Sequence, residues 1–248
     1  MRTDPYGLRL DRQPELVPDF VSALPPSNHA LALFDADGTM WTDDVADDFT
    51  QWMIRSGHIP GDRWPTYMRI YRDDAPAGCR FLLSLYTGMH RDTLRDRIEE
   101  YWLNHANRNW VWPVVESLHH LAAKGYEIWV VTGSPTDFML PLRHMLPVHE
   151  VVGMDYEFDA LGVVTGRHSG ISCAGLGKAE KVRHMANGRP VRFCCGNGNL
   201  DGPMMDIADV AWAIYPNPEF AAFAASRDWP ILPRPADFVE EEKFLLED

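Results

Sequence analysis

Positive charge is scarce in this chain. It has 23 Lys and Arg against 36 Asp and Glu, a formal net charge of −13 over 248 residues. A nucleic-acid face needs a Lys/Arg excess to release counterions, and an anionic membrane surface attracts the same residues, so neither partner is expected. The global charge still allows one pocket in which a metal ion and a lysine hold an anionic small molecule. Long apolar runs are missing too, and nothing approaches the ~20 residues that span a bilayer. Residues 1–10 hold Arg2, Asp4 and Arg9 and no apolar core, which argues against a secretory signal, so the expectation is a soluble, cytoplasmic protein. Only four cysteines occur, Cys79, Cys173, Cys194 and Cys195. The adjacent pair cannot bond without strain and zinc spacing is absent, so reduced thiols are expected, with Cys194 and Cys195 as small residues on a buried strand.

What is present suits an ordinary globular protein: 46% hydrophobic and 11% aromatic residues. The length exceeds one typical domain and falls short of two large ones, which favours a core with a smaller inserted module. Repeats and low-complexity tracts are absent, and the Pro-rich stretches 24–27 and 230–235 read as connectors.

Periodicity supplies the elements. A lead-in helix is expected near 14–24, then a buried strand over 30–34 that ends at Asp35-Ala-Asp-Gly-Thr. From Trp41 to about Trp112 the pattern is helical, with Val45, Phe49, Trp52 and Met53 on one face and further helices over 64–72, 76–87 and 91–107. Beyond Pro113 helices and strands alternate: helix 114–124, strand 126–131, a helix over 134–145 broken by Pro141, and a hairpin of 151–156 with 163–167. Helix 178–186, strand 191–195, helix 203–208, strand 210–215, helix 218–226 and strand 229–232 complete it. The implied fold is α/β, a Rossmann-like parallel sheet with helices on both faces, whose ligands bind beyond the strands' carboxyl ends. Residues 1–40 and 113–248 would form the core and 41–112 a helical module.

Four sequence pieces carry chemistry. Asp35 and Asp37 end a strand, where one carboxylate can attack while the other exchanges protons. Thr132, Gly133 and Ser134 follow the next buried strand, where a hydroxyl and N–H groups could hold anionic oxygens. Lys178, with Lys181 as the alternative, opens a helix and could offset negative charge. In Gly196-Asn197-Gly198-Asn199-Leu200-Asp201, a glycine-rich turn carries an amide oxygen and a carboxylate, hard ligands suited to Mg²⁺. Each piece has a plainer structural use: a turn, a helix cap, a solvated lysine or a cap for the helix beginning at Pro203.

In this order, the four pieces resemble the haloacid dehalogenase superfamily, specifically its phosphoserine-phosphatase-like branch, over nearly the whole chain after about Ala30. The resemblance implies a Mg²⁺-dependent phosphatase acting on a small phosphorylated metabolite through an aspartyl-phosphate. Asp35 would be the nucleophile, Asp37 the general acid/base, and Thr132 and Lys178 the residues that orient and neutralise the phosphoryl group. Magnesium would be held by Asp35, the Asp37 carbonyl, Asn197 and Asp201, the last as a ligand or behind the ligands. Gly133, Ser134 and Asn199 would contact substrate, and 41–112 would be a cap that closes over the site.

The chain also departs from that branch. Asn197 stands where it normally has aspartate, which predicts weaker metal binding, and Leu200 replaces an asparagine. Asp44 occupies the place of a glutamate that meets the substrate amine, and Arg80, or else Arg69 or Arg72, would face a substrate carboxylate. These changes leave phosphoserine itself open. The aromatics Trp41, Trp52, Trp64, Tyr67, Tyr71, Trp102, Trp110 and Trp112 fit either a cage for a quaternary ammonium such as phosphocholine or the core of a helical bundle, and the second is favoured. A phosphotransferase, or a non-catalytic protein with an impaired metal site, are the competing functions. A dehalogenase is disfavoured because it has no leaving oxygen for Asp37 to protonate. Assembly as a homodimer is compatible with the sequence.

Overall fold

The computed structural model describes Tyr6 and residues 12–236. The amino-terminal segment read above therefore lies, apart from Tyr6, outside the described residues. In chain order the elements are α1 (Asp19–Ser22), β1 (Leu31–Phe34), α2 (Val45–Arg55), α3 (Trp64–Asp73), α4 (Ala75–Leu83), α5 (Arg91–His105) and α6 (Trp112–Ala123). They continue with β2 (Glu127–Pro135), α7 (Thr136–Met139), α8 (Leu142–Met145), β3 (Glu150–Phe158), β4 (Val164–Ser169) and α9 (Leu176–Ala186). Last come β5 (Val191–Gly196), α10 (Gly202–Met205), β6 (Val210–Ile214), α11 (Pro218–Ala225) and β7 (Ile231–Leu232).

The seven strands form one sheet in the order β4-β3-β2-β1-β5-β6-β7. Every neighbouring pair is parallel except the β3–β4 hairpin. All four residues of β1 are buried, as expected of a central strand covered on both faces. Parallel pairing aligns Phe34 with Val130 and Cys195, so Asp35, Thr132 and the 196–201 turn emerge at one rim. Cys194 and Cys195 are fully buried, reduced and on the strand, as expected.

Local chemistry sets the boundaries. Asp44 and Asp74 cap α2 and α4 by accepting from Asp47 N and Ala77 N, each at 3.0 Å. The hairpin turns at Gly162, with φ of +79°, while Asp159 Oδ1 accepts from Leu161 N and Val163 N.

Two helix expectations need correcting. The lead-in helix 14–24 is a single tight turn at 14–16 followed by α1, because Pro18 holds Val17 extended, with ψ of 120°. The segment beginning at Ser134 is not helical there. Strand β2 runs on through Pro135, and the helix starts at Thr136 and is split, as foreseen, by Pro141 into α7 and α8. Thr132, Gly133 and Ser134 thus belong to the strand's end.

Among the described residues, no helix is long and apolar enough to cross a membrane. Helices α2 to α5 make up the helical block. Trp41 and Trp102 are fully buried and Trp110 nearly so, in the bundle-core role favoured above.

Candidate active site

The strand ends open into a cleft of about 840 Å³ whose other wall is the helical block. On its floor Lys178 is 2% exposed, and its Nζ donates to Asp35 Oδ1 at 2.6 Å, Asp201 Oδ1 at 2.6 Å and the Val131 carbonyl at 3.2 Å. All three ammonium protons are engaged, so the lysine is held at one point between two carboxylates. The other oxygen of Asp35 accepts from Thr39 Oγ1 at 2.6 Å. Lys181 goes elsewhere, to the Gly153 carbonyl at 2.7 Å and to Asp155, so geometry selects Lys178 as the lysine that meets Asp35.

Asp37 faces the same space. Its Oδ1 accepts from Val45 N at 2.8 Å and Trp41 Nε1 at 3.0 Å, and its Oδ2 from Ser134 Oγ at 2.6 Å and Thr132 Oγ1 at 3.5 Å. Thr132 Oγ1 accepts from Ser134 N at 3.0 Å. Both hydroxyls at the end of β2 are therefore tied to Asp37, and the Ser134 main chain holds that of Thr132. The family resemblance implies only a substrate contact for Ser134, whereas the structure makes it the closest partner of Asp37.

Burial dominates the titration of both acids. It lifts Asp35 to about 6 together with the charge of Asp201, against the pull of Lys178 and Thr39. Asp37 is raised to about 8 by burial and the nearby charge of Asp44, against its bonds from Ser134 and Val45. A carboxyl that keeps its proton at neutral pH can deliver it to a departing oxygen.

Asp201 is more constrained than expected of a metal ligand. One oxygen is taken by Lys178, and the other accepts from Asn197 N at 3.0 Å and Gly198 N at 3.1 Å. It fixes the lysine and the turn. Gly196 makes this possible: a Cβ there would come within 2.5 Å of the Asp201 side chain. Gly38, at φ +74°, likewise leaves room for the Asn197 side chain, which a Cβ would meet at 2.1 Å.

The donors fit Mg²⁺. Asp35, Asp37 and Asp201 share a buried floor with one lysine. Asp35, Asp37 and Asn197 line the same end of the cleft, and carboxylate, carbonyl and amide oxygens are hard ligands of the kind Mg²⁺ takes. Among the described residues no group of three or more His, Cys, Asp or Glu could hold a metal.

The expected substrate contacts divide. Asp44 and Gly133 line the cleft, although one oxygen of Asp44 caps α2. Asn199 lies at the rim, where its side chain donates to Glu219 at 2.9 Å. Arg80 is a correction: it is exposed and lines a separate groove with Arg63, Phe81 and His168. Arg69 and Arg72 are exposed and do not line the cleft either. Its arginine is Arg234, from the segment after β7, with Nε bonded to the Tyr215 carbonyl at 3.0 Å. Of the aromatics considered for a cage, Trp64, Tyr67 and Tyr71 line the cleft and the other five do not.

Comparison with known proteins agrees with this geometry. The model of the family described as haloacid dehalogenase-like hydrolase matches residues 32–206. Phosphoserine phosphatase SerB1 of Mycobacterium tuberculosis (strain ATCC 25618 / H37Rv) is 30% identical over 116 residues, covering 45% of this chain. That match spans only 37% of the relative's own length. Histidinol-phosphatase of Neisseria meningitidis serogroup C (strain 8013) is 23% identical over 224 residues, covering 82% of this chain and 97% of that protein. A substrate-bound phosphoserine phosphatase complex shares the fold with a TM-score of 0.60 at 16% identity, over 84% of this chain and 94% of that one.

Proposed function

Because the chain belongs to the haloacid dehalogenase-like hydrolase family, we propose that it is a Mg²⁺-dependent phosphatase that releases phosphate from a small phosphorylated metabolite through an aspartyl-phosphate on Asp35. The observation that carries this reading is the bond from Lys178 to both Asp35 and Asp201, with Asp37 across the same cleft. The relatives' names, phosphoserine phosphatase and histidinol-phosphatase, point the same way.

In the first half-reaction an Asp35 oxygen forms a bond to phosphorus as the ester P–O bond breaks, and Asp37 passes its proton to the leaving oxygen. In the second, the Asp37 carboxylate takes a proton from water. That water attacks phosphorus and phosphate leaves, which restores Asp35. Lys178 offsets charge at the nucleophile throughout, with Asp201 holding it in place. Thr132 and Ser134 orient Asp37 while the main chain at 133 and 134 faces the phosphoryl oxygens. Bound Mg²⁺, held by Asp35, the Asp37 carbonyl and Asn197, supplies the positive charge that lets a dianion approach this floor. Residues 41–112 act as the cap, so the scissile bond is shielded from bulk water.

An aryl phosphate assay with and without Mg²⁺ tests the reading. Turnover should require the metal and fall at least a thousand-fold in Asp35→Asn, an order set by loss of the covalent route. Full turnover by that variant would remove the nucleophile and the reading with it.

A further inference from the structure

Asp37 is held from two sides by donors of different kinds. At Oδ2 are the hydroxyls of Ser134 and Thr132, at 2.6 and 3.5 Å. At Oδ1 are two nitrogens, Val45 N at 2.8 Å and Trp41 Nε1 at 3.0 Å, both on the segment that leads from Asp37 into the helical block. A hydroxyl can give or accept a hydrogen bond, whereas an amide or indole N–H can only give one. Two donors fill the acceptor positions of Oδ1, so a proton carried by Asp37 sits on Oδ2, where a hydroxyl can turn to accept it.

Trp41 is built as a fixed donor. It is fully buried, its ring meets those of Trp110 at 5.3 Å and Trp102 at 6.0 Å edge-on, and the Arg108 guanidinium lies 5.9 Å from its centre. Its main chain bridges to Asp37 and to Trp110. The neighbouring indoles show the ordinary outlet for a buried N–H: Trp102 donates to the Phe138 carbonyl at 2.7 Å and Trp110 to the Ala106 carbonyl at 3.2 Å. Of these three, Trp41 alone gives its N–H to a side chain that the reaction uses.

We propose that Trp41 is a positioning residue: with Val45 N, its indole reserves Oδ1 of Asp37 as an acceptor and so confines the transferable proton to Oδ2. In the acid step the Oδ2–H bond breaks, the proton passes to the leaving oxygen as the ester P–O bond breaks, and the resulting carboxylate keeps both N–H bonds at Oδ1. The aromatic cluster at the base of the helical block thus aims the acid, together with the hydroxyls at the end of β2. The inference rests on the phosphatase reading and adds a residue to its first half-reaction.

The test compares kcat/KM, which covers the steps up to the aspartyl-phosphate, for para-nitrophenyl phosphate and phenethyl phosphate. The nitrophenolate leaves without a proton, and the alkoxide needs one. Trp41→Phe should lower kcat/KM for the alkyl ester about ten-fold or more, a fraction of what a placed acid is worth, and keep the aryl ester within about three-fold. Trp110→Phe, which removes the indole bonded to Ala106 from the same cluster, should change both esters by the same factor. Equal losses on the two esters in Trp41→Phe, or the same ester-selective loss in Trp110→Phe, would overturn the positioning role. Should Trp41→Phe not fold, Trp41→benzothienylalanine, with sulfur in place of N–H at nearly unchanged shape, is read the same way. If the native protein hydrolyses neither ester, the phosphatase reading fails and takes this one with it. If it hydrolyses both and Trp41→Phe costs them equally, the phosphatase reading stands and the positioning role alone fails.

Discussion

The floor of the cleft and its cap wall are both crowded with aspartates, yet they are built on opposite terms. On the floor every oxygen of Asp35 and Asp201 has a donor, and Lys178 spends all its protons there. On the wall the guanidinium of Arg108 pairs with Asp43 and Asp48, Tyr67 donates to Asp47, and the buried indole N–H of Trp64 has no partner among the described residues. A closed network fixes one arrangement of charge, as a reaction common to many substrates demands. The wall's acids are spread over several separate partners instead of one closed network.

The largest expected effect tests whether the floor's order matters for rate. Lys178→Met should lower kcat about a thousand-fold, because it removes the charge beside the nucleophile and releases Asp201. Lys181→Met, three residues away and also buried, should keep kcat within about ten-fold, since its bonds to Gly153 and Asp155 lie outside the cleft. Equal losses in steady-state kinetics would erase the distinction between a reacting lysine and a structural one.

A smaller effect probes the wall. Arg108 joins Asp43 and Asp48, at the start of the helical block, to Tyr101 near the end of α5, and its guanidinium lies 5.5 Å from the ring centre of Trp102. Arg108→Met should destabilise the fold by about 2 kcal/mol, below the usual cost of breaking a buried pair because Asp48 is one-third exposed. For a chain of this size that is a fall in Tm of about 4–8 °C. An unchanged melting temperature would mean that the arginine does not support the fold.

The floor was largely legible from the sequence and the wall was not, for a physical reason. Asp35, Asp37, Thr132 and Asp201 each sit within a few residues of a buried strand's end, and a parallel sheet brings such ends together whatever else the chain does. Periodicity marked the lysine-bearing helix and preferred Lys178, with Val182 and Met185 following at i+4 and i+7, but it could not exclude Lys181, since both lysines are buried on α9. The choice depends on which lies over β1 and which over β3. Arg80 could have been set aside earlier: Cys79, Leu82 and Leu83 make the buried face of α4, and position 80 is a third of a turn off it. Arg234 had no local signal at all, because only the strand pairing of β7 with β6 brings that segment to the cleft. Trp64 read as one more bundle aromatic, and its unpaired donor exists only in three dimensions.

Asn197→Asp would make the floor more like the wall by adding a carboxylate. Mg²⁺ affinity, measured by calorimetry, should tighten about ten-fold, the worth of one added charge in a partly buried oxygen site. The metal-free protein should gain nothing and lose a little stability. Unchanged affinity would remove 197 from the ligand set.

The smallest effect reads the burial of the floor's two acids most directly. Asp37 is raised to about 8 from an ordinary 3.8 and Asp35 to about 6, so between about pH 4 and 8 the folded protein keeps protons that the unfolded chain has shed. Stability then falls as pH rises through that window, and for one such proton the slope is at most ~1.4 kcal/mol per pH unit. Asp37→Asn removes the larger contributor while keeping an oxygen for Val45 N and Trp41 Nε1. Metal-free Tm should therefore decline less steeply from pH 5 to pH 8 in the variant, which should melt a few degrees above the native protein at pH 8 while losing activity. Saturating Mg²⁺ should flatten the native curve in the same direction, because a bound cation favours the ionised acids. Parallel curves for the two proteins without metal would mean that Asp37 ionises freely in the folded state, and the proton it is proposed to hand to the leaving oxygen would have to come from elsewhere.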